Sequence, residues 1–168
     1  QRFDDARLST LDRTLNRWLS PLQPEGYDYN NVVLSVSHQI FTPEDWERSD
    51  LIENDRPYAA TLLFGVGYNS RNADSMQTTL LQAGIVGPGA GGEEIQDFVH
   101  DLVGSDKFRG WDHQLHDEPV VRVMRQWFQR WRSARLLDSP LAGDVIVHGG
   151  GSLGNLATFA NAGVEVRV

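Results

Sequence analysis

The chain has 168 residues, a formal net charge of −8 and no cysteine. The acidic balance argues against a nucleic-acid backbone as the partner, and without cysteine a thiol nucleophile is excluded. Apolar residues make up 40% of the chain, which is enough for one domain with a core or an apolar outer belt. We therefore expect a single domain over residues 1–168.

Membrane-spanning helices are also excluded by the sequence. No segment approaches the ~18 consecutive apolar residues that such a helix needs, and no signal peptide is recognised. A soluble protein and a transmembrane β-barrel both remain, because barrel strands alternate apolar and polar residues and never form long apolar runs.

The first predicted element is an amphipathic helix over residues 7–20. Pro21 and Pro24 end it. Its apolar side chains recur at three- and four-residue steps: Leu8, Leu11, Leu15, Trp18 and Leu19. Residues 42–45 (TPED) suit a second helix start, with proline in the first position and acids in the first turn.

Period-two alternation predicts about six strands that follow one another as an antiparallel meander. The segment 120–135 is the least certain, because Trp127 and Trp131 are four residues apart and a helix is the alternative. A strand is preferred there, since consecutive β-branched residues begin the segment and no helix cap follows Pro119. The predicted strands cover residues 31–40, 61–68, 77–86, 120–135, 144–153 and 156–168.

The residues on the less apolar strand faces separate two architectures. These faces carry Gly, Ser, Thr, Gln and Asn rather than Lys and Glu. Small neutral residues suit a barrel interior better than a surface in bulk water, and Tyr and Trp near strand ends suit the girdles of an outer-membrane barrel. A soluble β sandwich is the alternative that this pattern leaves open. Gly65 and Gly67 on one strand face predict a close approach by a neighbouring strand or a ligand.

A short helix is predicted within the polar excursion 87–119. Glu93 and Glu94 follow a glycine-rich entry and oppose the positive end of the helix macrodipole. Gly104 lies where a C-terminal glycine belongs. The apolar stripe between them contains Ile95, Phe98, Val99, Leu102 and Val103. We therefore expect a loop helix near residues 93–104.

One histidine on this helix is the best candidate for chemistry. At about 100° per residue, Gln96 and His100 lie one turn apart beside the apolar stripe, whereas Asp97 and Asp101 point toward solvent. A half-sheltered imidazole stays neutral and can accept a proton, as a general base must. The alternative from spacing alone is a histidine that borders a core. His38, at the end of a strand, is expected to be structural.

Three other chemistries are less well supported. His113 and His116 are three residues apart among acids, which is faintly metal-like, but no HExxH motif occurs. The glycine run 149–154 is not followed by lysine, which disfavours a phosphate loop. Arginines within 122–135 suit a polyanion site, although inward arginines of a barrel explain them equally well.

Six short motifs in one order carry a resemblance to a known family. They are FTP (41–43), DRPYA (55–59), GIVGP (84–88), QDFVH (96–100), GWDHQ (110–114) and DEP (117–119). The chain resembles the lipid A 3′-O-deacylase family of the Gram-negative outer membrane. Gly154-Asn155 and Ala162-Gly163 extend the likeness toward the end of the sequence.

The resemblance implies a fold and an activity. The family forms twelve-stranded barrels, of which about half would be present here, and its members are calcium-dependent acyl-ester hydrolases. By resemblance, His100 is the general base that activates water against a 3′-linked acyl or acyloxyacyl ester of lipid A. Gln96, Asp55, Arg56 and Glu118 occupy motif positions expected near the site.

The resemblance also implies partners and a location. The expected partners are lipid A or lipopolysaccharide and the outer membrane, with no nucleic acid, and we expect a monomer. The family's earlier strand with an Asn-Asp pair, associated with calcium, has no match before Asn31, so the metal ligands are unknown and expected outside this chain. The alternative function is a non-catalytic soluble β domain with a structural or binding role.

Overall fold

The computed structural model describes residues 17, 24–133 and 143–167. All six predicted strands are present: β1 (Tyr29–Phe41), β2 (Ala59–Arg71), β3 (Ser75–Val86), β4 (Glu118–Ser133), β5 (Gly143–Gly154) and β6 (Phe159–Arg167). The helix α1 (Gly92–Val103) lies in the β3–β4 connection. The predicted helix at 7–20 falls outside the described residues, except for the helical Arg17.

The strands form one antiparallel sheet in the order β1-β2-β3-β4-β5-β6. The β4–β5 register runs from Arg122 opposite Gly154 to Ser133 opposite Gly143. The predicted meander is therefore confirmed, and the segment that contains Trp127 is a strand rather than a helix. No helix in the described part of the chain is long and apolar enough to cross a membrane.

Contacts within the chain define two units. Unit 1 contains residues 1–34, 65–81 and 122–168, and unit 2 contains residues 35–64 and 82–121. In each unit one strand face exposes large apolar side chains. In unit 2 these include Val36, Phe64 and Val121; in unit 1 they include Leu34, Val123, Trp127, Leu153, Val164 and Val166.

The opposite face in unit 2 carries small polar side chains, as expected of a barrel interior. The Gln82 amide is 3% exposed, and its nitrogen donates to the Ser35 hydroxyl at 3.5 Å. An aqueous sandwich would place its apolar faces inward and its polar faces outward. The observed distribution is the reverse, and it is the distribution of outer-membrane barrels.

The predicted helix start at 42–45 is wrong, because residues 42–58 contain no helix. The Asp55 carboxylate accepts hydrogen bonds from the backbone N–H of Glu44 at 2.6 Å and of Arg56 at 2.7 Å. A side chain eleven residues away thus takes the donor that a first helical turn would leave free. Local sequence favoured a helix, and the structure instead has an irregular segment whose Glu44 N–H bonds to Asp55.

Close strand approach explains the glycine at position 67. A Cβ added to Gly67 would overlap the Thr79 carbonyl oxygen and lie 2.8 Å from the Cα of Leu80. Both neighbours belong to the backbone of β3, so a strand and not a ligand makes the close approach here. Backbone atoms cannot rotate away as a flexible side chain can.

We expect Gly67→Ala to destabilise the sheet by about 1–3 kcal/mol, the usual cost of overpacking. The free energy of unfolding, measured on the complete protein refolded in detergent micelles, tests this. Gly149→Ala is the matched control, since the atom nearest to its added Cβ would be the Asn161 carbonyl oxygen, at an ordinary contact distance of 3.5 Å. Equal stability of the two variants would contradict the explanation.

Candidate functional site

The helix α1 begins and ends at glycines in the left-handed conformation. Gly91 and Gly104 both have φ of 69°, a region that side chains other than Gly rarely enter. The backbone N–H groups of Gly104 and Ser105 both bond to the His100 carbonyl and close the helix. The observed helix over 92–103 confirms the predicted loop helix, with its bounds shifted by one residue.

The loop that carries α1 is attached to the start of β2. The Gly87 N–H donates to the Ala60 carbonyl, and the Leu115 N–H donates to the Tyr58 carbonyl, both at 2.9 Å. A Cβ at Gly92 would overlap that of Ala60, so the helix start lies against β2 with no spare space. Ala60 and the exposed Phe64 are four residues apart on β2, so their side chains lie on the same face of the strand. The helix α1 is therefore attached to the apolar face of unit 2.

Trp111 fixes the helix on that face. Its side chain is 2% exposed, its ring lies 5.0 Å from that of Tyr58 between centroids, and its edge reaches Gly92. The indole Nε1–H donates to the Gln96 side-chain oxygen at 3.1 Å. The same loop also contacts β1, where His38 Nε2 bonds to the Ala90 carbonyl of the loop at 2.9 Å. This bond gives His38 a structural contact.

The apolar stripe of α1 is exposed. Phe98 is 68% exposed, Leu102 75% and Val103 68%. An amphipathic helix in a water-soluble protein turns such a stripe toward the core. Here the helix turns polar and small residues toward the strands and presents apolar side chains outward.

His100 is held by the chain that follows the helix. Its Nδ1 lies 2.5 Å from the Asp106 carbonyl oxygen, and its ring meets the Phe108 ring edge-on at 5.0 Å between centroids. A carbonyl only accepts, so Nδ1 carries the proton and Nε2 keeps its lone pair. The half-buried imidazole therefore has the tautomer that a base acting through Nε2 requires.

A lysine clip, formed by Lys107 with Asp97 and Asp101, holds this segment against the helix. The Lys107 ammonium lies 3.0 Å from the Asp101 carboxylate and 3.3 Å from that of Asp97. The hydrogen bonds that the ammonium donates, first to Asp101 and then to Asp97, raise the pKa of Lys107. Because Lys107 directly follows Asp106, the clip also fixes the carbonyl that orients His100. Helical spacing placed Asp97 and Asp101 toward solvent and did not predict their ion pairs with Lys107. Two acids four residues apart on a helix, followed by a lysine, were the signal that could have indicated these pairs.

We expect Lys107→Gln to loosen the segment after α1. Exposed ion pairs contribute little to stability because water screens them, so amide hydrogen exchange at residues 105–108 should rise by no more than about fivefold per pair lost. Because the lysine pKa is raised in the folded state, the contribution is complete below the ordinary lysine pKa and is lost as pH rises through the raised value.

Two control variants test whether the effect on exchange comes from the Lys107 ion pairs. Lys107→Arg keeps the charge and should restore slow exchange, whereas Arg48→Gln removes a comparable exposed pair with Asp50 and should leave residues 105–108 unchanged. Unaltered exchange in Lys107→Gln would show that the clip does not hold the segment.

The other predicted site residues occupy different surroundings. Gln96 is on α1 as expected, with its oxygen bonded to Trp111. Asp55 acts as the acceptor within its own loop, and those backbone bonds lower its pKa. Arg56 is exposed, and Glu118 is the exposed first residue of β4. Within the described part of the chain, no hydrogen bond or ion pair joins Asp55, Arg56 or Glu118 to His100.

A metal site is not assembled by the described residues. Across residues 24–133 and 143–167, no three His, Asp or Glu side chains converge as metal ligands. His113 and His116 are both exposed. These residues therefore do not fit the calcium site that the family resemblance implies.

The bond between Trp111 and Gln96 gives a test of how α1 is positioned. Trp111→Phe keeps the ring contact but removes the donor, which should cost about 1 kcal/mol and speed amide exchange in α1 about fivefold. Trp46→Phe is the control, because Trp46 stacks on Phe108 at 5.4 Å, a contact that a phenyl ring can keep. Equal exchange in both variants would show that the bond does not hold the helix.

Comparison with known proteins decides the family. The model of the outer membrane protein LpxR family matches residues 2–168. The chain belongs to the LpxR family. This confirms the resemblance to the lipid A 3′-O-deacylase family and places the chain among outer membrane proteins.

A solved structure supports the fold of this LpxR family member. LpxR from Salmonella typhimurium superposes with a TM-score of 0.72 at 18% sequence identity, covering 94% of this chain and 58% of that one. The chain thus spans a little more than half the length of this relative, in keeping with a partial barrel. No curated protein sequence matches the chain significantly.

Proposed function

We propose that the protein hydrolyses the 3′-linked acyl or acyloxyacyl ester of lipid A, with His100 as the general base. The observation that carries this proposal is the bond from His100 Nδ1 to the Asp106 carbonyl, which leaves Nε2 able to accept a proton. Membership of the LpxR family supplies the substrate class. Gln96, Asp55, Arg56 and Glu118 are proposed as supporting residues by their motif positions.

The exposed stripe of α1 supports a lipid substrate. Phe98, Leu102 and Val103 project from a helix attached to the apolar face of unit 2. Apolar side chains on a surface helix are stable where they contact acyl chains rather than water. Burying them in the outer leaflet would hold His100 beside the ester bonds at the base of those chains.

The proposed reaction begins when His100 Nε2 removes a proton from water as the oxygen attacks the ester carbonyl carbon. The tetrahedral intermediate then collapses, the bond from carbon to the sugar oxygen breaks, and the imidazolium returns its proton to that oxygen. The products are a free fatty acid and a sugar hydroxyl. Throughout, the Asp106 carbonyl accepts from Nδ1–H, which fixes the ring and stabilises its charged form.

The calcium dependence that the resemblance implies is part of the proposal for the whole protein. Because the described residues of this chain do not gather metal ligands, the proton transfers above depend on His100 alone. Chelation of calcium in the complete protein should abolish hydrolysis, and calcium should restore it. Activity that persists in a chelator would contradict the calcium proposal without affecting the role of His100.

His100→Gln should lower kcat/KM by about 10²–10⁴-fold, the usual contribution of a general base. Acyl chains released from lipid A by the complete protein in mixed micelles, with calcium, can be counted by mass spectrometry. His113→Gln and His116→Gln are matched controls, because both histidines are exposed in the same loop. Full activity of His100→Gln would overturn the mechanism, and no activity in any form would favour a non-catalytic role.

A further inference from the structure

A groove crosses the exposed apolar face of unit 1. It has a volume of about 660 Å³ and is lined by Val123, Arg125, Trp127, Leu153, Phe159 and the backbone of Gly149 to Ser152. Strand register explains its floor, since Arg125 pairs with Gly151 and Trp127 pairs with Gly149. Glycine is present where β5 would otherwise place two side chains against β4.

Small residues of β6 lie opposite the glycines of this floor. Gly151 pairs with Ala160 and Gly149 pairs with Ala162. A Cβ at Gly149 would meet only the Asn161 carbonyl oxygen, at 3.5 Å. Backbone packing therefore does not require glycine at this position, and the missing side chain leaves open space. The rim of Val123, Trp127 and Leu153 is exposed and apolar, which suits a straight hydrocarbon chain.

One charged group interrupts this apolar groove. Arg125 lies between Val123 and Trp127 on the same exposed face of β4. In the orientation that satisfies both groups, the Gln77 side-chain oxygen accepts from Arg125 Nε at 2.8 Å. An amide carries no net charge, and no carboxylate within residues 24–133 or 143–167 forms an ion pair with Arg125. By contrast, Arg167 pairs with the Asp144 carboxylate at 2.9 Å.

Arg125 lies at the middle of β4, and its partner Gln77 lies nearer the short turn between β2 and β3. Arg130, further along β4, donates its N–H to the Asp74 carbonyl of that turn, and Gln77 is the third residue of β3. Short turns of outer-membrane barrels face the periplasm. A long arginine side chain on a lipid-facing strand extends its charge toward the headgroups at the near interface.

We propose that this groove binds one acyl chain of a phospholipid and that Arg125 binds the phosphate of the same molecule. The guanidinium supplies a planar set of donors that matches phosphate oxygens. The glycine floor accepts the chain without displacing a side chain. The site shares no lining residue with the surroundings of His100 and does not depend on the proposed hydrolysis.

Lipid retention by the complete protein tests the proposal. The protein in maltoside micelles is titrated with phosphatidylglycerol, and bound lipid is counted by native mass spectrometry. We expect one lipid that Arg125→Gln retains at least tenfold more weakly. Gly149→Leu, which fills the groove, should weaken retention to a similar extent. Arg167→Gln, an exposed arginine that already has a carboxylate partner, should not change it.

Two further ligands show separately how much the acyl chain and the phosphate headgroup contribute to binding. Diacylglycerol, which lacks phosphate, should bind at least tenfold more weakly than phosphatidylglycerol, and inorganic phosphate should not displace the lipid. Heat-modifiable migration in gels verifies that each variant is folded, and Arg125→Gln is sufficient if Gly149→Leu fails to fold. The proposal would be overturned if folded Arg125→Gln retained the lipid unchanged or if inorganic phosphate alone displaced the lipid. It would also be overturned if the protein were a dimer that both variants convert to monomers, because the groove would then be a contact between two copies.

Discussion

The position of the helix depends on the packing of Trp111. Its indole fills the space between Tyr58 and Gly92 while its one polar atom bonds to Gln96. A buried indole needs a partner for its N–H, and here the partner is a side chain of the helix itself. Apolar contact and hydrogen bonding therefore attach α1 to β2 at the same point.

That attachment turns the large apolar side chains of the helix away from the rest of the protein. The side that meets β2 uses glycine and glutamine, so the large apolar residues have no protein surface to cover. The strands of both units likewise expose large apolar side chains on one face. Such a chain is stable when its surroundings are as apolar as its surface, since water would penalise every exposed leucine and phenylalanine.

Period-two alternation predicted the strands because strand faces are decided by neighbouring residues. All six strands and their antiparallel order follow from local pattern, and the extended form of β4 followed from its β-branched start. The helix expected at 42–45 is absent, and the Glu44 N–H bonds to Asp55, a residue outside the local window. Likewise, helical spacing placed Gln96 and His100 one turn apart, yet spacing alone cannot show that each bonds to a different partner, Trp111 and Asp106.

The acceptor that orients His100 is a main-chain carbonyl, and this has an evolutionary consequence. Any residue at position 106 supplies the same oxygen, so substitution of Asp106 is free to occur without loss of the histidine's orientation. The requirement falls instead on the path and length of the backbone between Gly104 and Lys107. An insertion or deletion of one residue there would move the carbonyl by more than a hydrogen-bond length, although no side chain of the site had changed.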